Sequence, residues 1–148
     1  MIIDFNLSDI ANKYTIKKQA FEYAGIDGIA ELLGWQIVFF YSKYDLNNVS
    51  AISFMEITDN DLIDIGNNIL DNIGINVRFR DNKSVITNIF GIPDFFDKIY
   101  LNTDRYNYIL SENYFLSFGL ENDNLTYLEI IYDKNIVNNI VETRQCIQ

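Results

Sequence analysis

Four runs toward the C-terminal end alternate with a period of two: DKIYL (97–101), DRYNYIL (104–110), NYFLSFGL (113–120) and LTYLEIIY (125–132). Successive side chains of a strand leave opposite faces, so this alternation fits half-buried strands and does not fit a helix. The gaps hold turn-forming residues, as in SEN (111–113) and ENDN (121–124). Neighbouring strands joined by such turns make an antiparallel meander, and the rest of the chain must cover a face of it. Tyr106 to Tyr132 is therefore expected at the sheet centre.

Helical spacing elsewhere supplies the cover. Leu7, Ile10, Ile16, Ala20 and Tyr23 recur at helical intervals, with Ser8 and Thr15 as candidate caps, so 7–23 reads as a helix interrupted at Gly25. Gly28 to Leu33 reads as a short helix after Asp27 that stops at Gly34. WQIVFFYSKY (35–44) and VSAISFMEI (49–57) read as strands joined by DLNN. From Asp59, steps of 100° gather Leu62, Ile63, Ile65, Gly66, Ile69, Leu70 and Ile73 into an arc of roughly 160°. The segment 59–72 is thus an amphipathic helix, expected to pack through Leu62, Ile65 and Ile69, with Thr58 as N-cap and Asp61 completing a variant capping box. A short strand INVRF (75–79) follows, then a helix NKSVITNIF (82–90) closed by Gly91-Ile92-Pro93. Lys134 to Glu142 fits both a final helix and an edge strand. The pattern is α+β: N-terminal helices packed on a mainly antiparallel β-sheet. At 148 residues the chain is one domain, 1–148, with no linker or repeat.

Charge narrows the function. Twenty-one acids face 11 bases, a net charge of -10. A polyphosphate backbone would be repelled, and so would an anionic membrane surface. Abundant Ile, Asn, Tyr and Phe match an AT-rich coding bias, but that bias would also raise Lys, and there are only seven. Solubility is one account of the remaining acid excess, and a basic partner is the other. A lone Cys146, no basic-then-apolar leader and no apolar run of bilayer length point to the cytoplasm.

The acids fall in two regions. EITDNDLIDIGNNILD (56–71) carries five carboxylates and no base. Asp59 and Asp61 sit in the first helical turn, where the helix dipole favours an anion by about 0.3–1 kcal/mol. Asp64 and Asp71 have no such account, because they share the solvent arc with Asn60, Asn67 and Asn68. The second region runs from Glu112 to Asp133 and includes Glu121, Asp123 and Glu129 without a base.

Catalytic chemistry finds few candidates. The absence of histidine removes the usual general base, the commonest zinc ligand and every Ser-His or Cys-His arrangement. DNDLID (59–64) matches the start of a calcium loop, but Ile63 falls where a ligand is needed and no glycine follows. Gly-rich phosphate loops are absent. The chain is expected to be no enzyme and to need no metal or cofactor.

Tyr100, Tyr106, Tyr108, Tyr114, Tyr127 and Tyr132 lie in the strand-rich third, and Tyr106 and Tyr108 share one face of their strand. Packing of a half-buried sheet accounts for such tyrosines. An aromatic face flanked by carboxylates is the sharper reading, and it suits a basic protein better than RNA, whose readers need Arg or Lys beside their rings.

Residues 82–133 carry a resemblance through Phe90-Gly91-Ile92-Pro93, Tyr106-Asn107-Tyr108 and the run Phe118 to Leu128. The segment is similar to the helix-plus-meander unit of the outer-membrane assembly lipoprotein BamE and of β-lactamase inhibitory proteins, although the lipobox cysteine of the lipoprotein is missing. Small, acidic, histidine-poor chains with this unit also resemble immunity proteins of contact-dependent and polymorphic toxin systems. That resemblance implies a protein that neutralises a cognate toxin, often a nuclease, in a one-to-one complex. Expected contacts are Asp64, Asp71, Glu112, Glu121 and Asp123 with Tyr106 and Tyr108. The alternatives are a small-ligand-binding protein or non-metal enzyme with an apolar pocket between helices and sheet, and a subunit that assembles through its sheet edge.

Overall fold

The computed structural model describes residues 16–23, 26–32, 36–41, 49–111, 114–132 and 134–147. Strands β1 (Ile16–Tyr23), β2 (Ile26–Leu32), β3 (Ile37–Tyr41) and β4 (Val49–Phe54) precede helices α1 (Asn60–Ile73) and α2 (Lys83–Phe90). Strands β5 (Phe95–Tyr100), β6 (Thr103–Ser111), β7 (Tyr114–Glu121) and β8 (Asn124–Ile131) follow, and α3 (Lys134–Ile147) ends the chain. All eight strands form one antiparallel sheet in the order β1-β2-β3-β4-β8-β7-β6-β5. Two four-stranded meanders therefore meet where β4 pairs with β8, Phe54 opposite Leu128 and Ile52 opposite Ile130. The connection through α1 and α2 carries the chain from the sheet centre to its far edge at β5.

The fold is α+β with strands dominant. β7 and β8 sit near the centre as the alternation predicts, while β6 is one strand in from the edge. The expected N-terminal helices are corrected: 16–23 and 26–32 are strands, β2 pairing with β3 through Ile29–Phe40 and Leu32–Ile37. Residues 7–15 of the expected first helix lie outside the described residues. A helix as short as 28–33, beginning on a glycine, forms few internal hydrogen bonds, whereas the open edge of β3 satisfies a whole row of backbone groups.

The central sheet has two different faces. Ile52, Phe54, Tyr108, Leu116, Phe118, Leu128 and Ile130 form one buried cluster with Leu62, Ile69, Leu70 and Ile73 of α1 and Ile86 of α2. Ile65 packs at the margin of that cluster. The α1 cap is Asp59, whose carboxylate accepts from the Asp61 N–H at 2.9 Å, so Asp59 replaces Thr58 in the expected role. The expected strand INVRF is corrected: residues 75–78 have no regular structure and Phe79 enters a turn, with Ile75, Val77 and Phe79 buried and Asn76 and Arg78 exposed. Phe79 reaches under α1 at Gly66, where a Cβ would meet its ring at 2.7 Å. On the opposite sheet face, Ala51, Phe95, Phe115 and Ile131 cluster with Val137 of α3. The segment left open between helix and strand is thus helical, and Val137, Val141 and Arg144 recur along its inner side. Among the described residues no helix is long and apolar enough to cross a membrane.

Candidate partner-binding surface

The solvent arc of α1 divides. Asp64 is exposed without an ion pair to a described residue, whereas Asp71 pairs with Arg78 at 2.5 Å. Asp71 was expected among asparagines alone. The base comes from the chain after the helix, which folds back along α1 so that Arg78 bonds Asp71 and the Phe79 N–H bonds the Asn67 side chain. Both side chains are about half exposed, so the pair contributes roughly 0–1 kcal/mol. Glu112 lies outside the described residues.

Asp123 lies in the turn between β7 and β8 with Glu121 at the end of β7, and Tyr106 on β6 shares a groove with Asp123 but not with Glu121. Asn122 (φ 51°) and Asp123 (φ 65°) both take left-handed conformations, the form a two-residue hairpin of matched twist requires. Asp123 accepts from the Lys83 N–H at 3.3 Å, at the start of α2, where the helix dipole favours its charge. Half-buried Tyr106 meets Phe96 edge-on, ring centroids 5.0 Å apart. Tyr106 also lines an open groove of about 440 Å³ with Lys83, Asp104 and Asp123.

Tyr108 belongs to the interior. It is 2% exposed, packs on Phe90 and Phe118, and donates its hydroxyl to the Gly91 carbonyl at 2.9 Å. Burial, with Tyr106 and Asp94 nearby, pushes its phenol up to about 12. The two tyrosines do share a face, but α2 and the Gly91 turn cover it at Tyr108, which has no surface for a partner.

The opposite face holds a charged network that sequence spacing did not reveal. Arg105 on β6 clasps Asp97 on β5 with two hydrogen bonds, one of 2.7 Å, and approaches Glu129 on β8 at 3.5 Å. Arg144 on α3 reaches down to Glu129 with two bonds of 2.9 Å and to Asn107 at 3.2 Å, its guanidinium 5.3 Å from the Phe115 ring centre. Asn107 donates to Asp97 at 2.7 Å and accepts from Ser117 at 2.8 Å. Burial raises the Asp97 pKa, but hydrogen bonds from Arg105 and Asn107, with both guanidinium charges, outweigh it and hold the carboxyl below its usual value. Two acids and two arginines balance, and each member is hydrogen-bonded, so the network clamps α3 to the sheet and leaves no free acid or base.

At the β7–β8 end of the sheet the backbone is strained. Among the described residues, the non-glycine positions with positive φ are Glu56 (51°), Arg80 (81°), Asn122 and Asp123. All lie at this rim, tied by Ile57 N–H to the Thr126 carbonyl and Arg80 N–H to the Leu125 carbonyl, each 2.9 Å. Glu56 accepts from the Tyr127 hydroxyl at 3.0 Å, and burial followed by that bond raises the Tyr127 pKa. Exposed Tyr100 stands edge-on to Tyr127, centroids 6.4 Å apart. Arg80 bonds the Thr58 carbonyl at 3.4 Å and the Asn60 side chain at 2.8 Å through one nitrogen, Nη2. It lines a second open groove, about 240 Å³, with Glu121 and Thr126. The Thr126 hydroxyl is enclosed and without a hydrogen-bond partner, a state that costs about 1–3 kcal/mol.

No protein-family model and no curated protein matches this chain. A solved structure, a DUF4309 family protein (YjgB) from Bacillus subtilis subsp. subtilis str. 168, is similar at 12% identity over 84% of this chain and 76% of its own, with a TM-score of 0.43. A likeness that distant says nothing about function.

Proposed function

We propose that this protein is a cytoplasmic immunity protein that binds a basic toxin domain one-to-one and blocks its active site. A nuclease fits best, because a cleft that holds phosphates must be lined by Lys and Arg. The observation that carries the reading is how the charges are partnered. Arg78, Arg105 and Arg144 each lie against a carboxylate of this chain, while Asp64, Glu121 and Asp123 have no ion pair to a described residue. Asp64 and Asp123 are exposed and Glu121 is half-buried, and β5 carries the exposed aromatics Phe96 and Tyr100. Aromatic anchors ringed by charge are the usual composition of an interface that pairs opposite potentials.

Co-purification with the product of the adjacent upstream gene, at low and high salt, tests this. Binding that weakens with salt and protects cells expressing that product is expected. Loss of either binding or protection ends the reading. Small-ligand binding stands as a second reading because the Arg80–Glu121 groove contains unpaired groups of opposite charge. An apolar pocket under α1 has less room, since Phe79 fills the space there against Gly66 and Phe54.

A further inference from the structure

We propose that the outer edge of β5 takes up an extended strand of the basic toxin domain, which joins the sheet there; this rests on the immunity reading. β5 ends the sheet, and among the described residues no strand pairs with its outer side. Such an edge offers a row of backbone N–H and C=O groups, and proteins commonly guard it with charge, distortion or cover. β5 has little of each. Its one lysine, Lys98, is drawn back to the Asp104 carboxylate and the Leu101 carbonyl, each at 3.4 Å. A register shift between Lys98 and Tyr100 affects only its last part. On the helix side of the sheet, Phe90 of α2 packs on Tyr108 of β6 and Phe118 of β7, one strand in from the edge.

The side chains point the same way. Among the described residues, the large apolar side chains more than half exposed all fall in one stretch: Ile92, Phe96, Tyr100 and Leu101, on β5 or at its ends. Clustered apolar exposure marks an interaction site, and along an edge strand the matching mode is strand addition. Charge selects the occupant. A second copy would bring another net charge of -10 against exposed Asp94 and Asp104. A strand of a basic domain brings the opposite sign. Tyr106, whose ring meets Phe96, lines the groove of about 440 Å³ with Asp104 and Asp123. Carboxylates thus stand one strand in from the edge, where a Lys or Arg of the added strand can reach them.

Residue-resolved amide hydrogen exchange of the full chain, alone and with the product of the adjacent upstream gene, tests the proposal. Strand addition has a period-two signature. Along Phe95–Tyr100, alternate amides already face β6, and the others are expected to slow at least about tenfold in the complex. Leu101→Gln should keep the fold, since Leu101 is almost wholly exposed, and weaken binding about fivefold. Lys98→Gln, which removes the base on the edge, should tighten binding about twofold. Binding without alternating protection in β5 overturns the strand addition and leaves the immunity reading standing, whereas no binding at all ends both. β5 amides that slow in the free protein as its concentration rises would give the edge to a second copy and overturn the proposal. Unchanged binding in both Leu101→Gln and Lys98→Gln would overturn it too.

Discussion

Arg144 at the end of α3 and Glu129 in the middle of β8 meet through two hydrogen bonds of 2.9 Å, side chains 12% and 29% exposed. The pair fixes where the C-terminal helix lies, because the apolar contacts of Val137 and Val141 would tolerate sliding and a two-pronged guanidinium does not.

Truncating Arg144 to Ala leaves Glu129 with the longer contact to Arg105 alone and removes the cover of Phe115. A loss of about 2–4 kcal/mol is expected in urea unfolding, less than for a fully buried pair because Glu129 keeps some water. Arg144→Met, which keeps the stem over Phe115, should lose less. Equal losses would mean that the ion pair carries the effect and the packing of the stem on Phe115 adds nothing.

Tyr108 makes the fold sensitive to alkali. Its phenol titrates at about 12 in the fold and about 10 in the unfolded chain, so the folded state holds the proton more tightly. The stability this confers is complete below pH about 10 and is lost as pH rises from there to about 12. Tyr108→Phe should flatten that part of the stability profile and cost about 0.5–1.5 kcal/mol at neutral pH through the bond to Gly91. A slope between pH 10 and 12 unchanged by the substitution would show that other groups set it.

Gly66 faces Phe79 rather than water. Alanine there gains helix propensity of about 1 kcal/mol, yet its Cβ would lie 2.7 Å from the Phe79 ring. Overpacking a buried site costs about 1–3 kcal/mol, so Gly66→Ala should destabilise on balance. Gly66→Ala with Phe79→Leu should recover part of the loss, and a stabilised single variant would mean that Phe79 moves freely.

Local order was legible wherever a single element decides its own burial. The period-two runs gave β5 to β8, and the arc from Leu62 to Ile73 gave α1 with its buried side correct. β1 and β2 were missed because pairing with β3 outweighs the helical spacing within 16–32, and pairing partners are not written locally. The acidic site was legible only in part. Asp71 lost its freedom to Arg78 through a reversal of the chain after α1, and Tyr108 lost its exposure to a turn that only the assembled fold places above it. The network of Asp97, Arg105, Asn107, Glu129 and Arg144 depends on the register of three strands and on the seat of α3. Lone charges on alternating strands do not announce such an arrangement.

Partner binding separates steering from gripping. Asp64 is exposed and has no ion pair to a described residue, so Asp64→Lys should leave the fold intact, slow association with the toxin domain and weaken its salt dependence. Asp71 is weaker evidence, since reversing it also breaks the Arg78 pair. Opposed potentials raise association toward roughly 10⁸–10⁹ per molar per second from roughly 10⁵–10⁶ for neutral pairs, so a single reversal should cost only part of that range. Tyr100 is 60% exposed beside Tyr127, and if it anchors the partner, Tyr100→Ala should act on the off-rate, losing about 2 kcal/mol of affinity with association unchanged. Surface plasmon resonance at two salt concentrations separates the two effects. If neither substitution changes either rate, the acids and the exposed tyrosine serve solubility, and the partner surface lies elsewhere on the molecule.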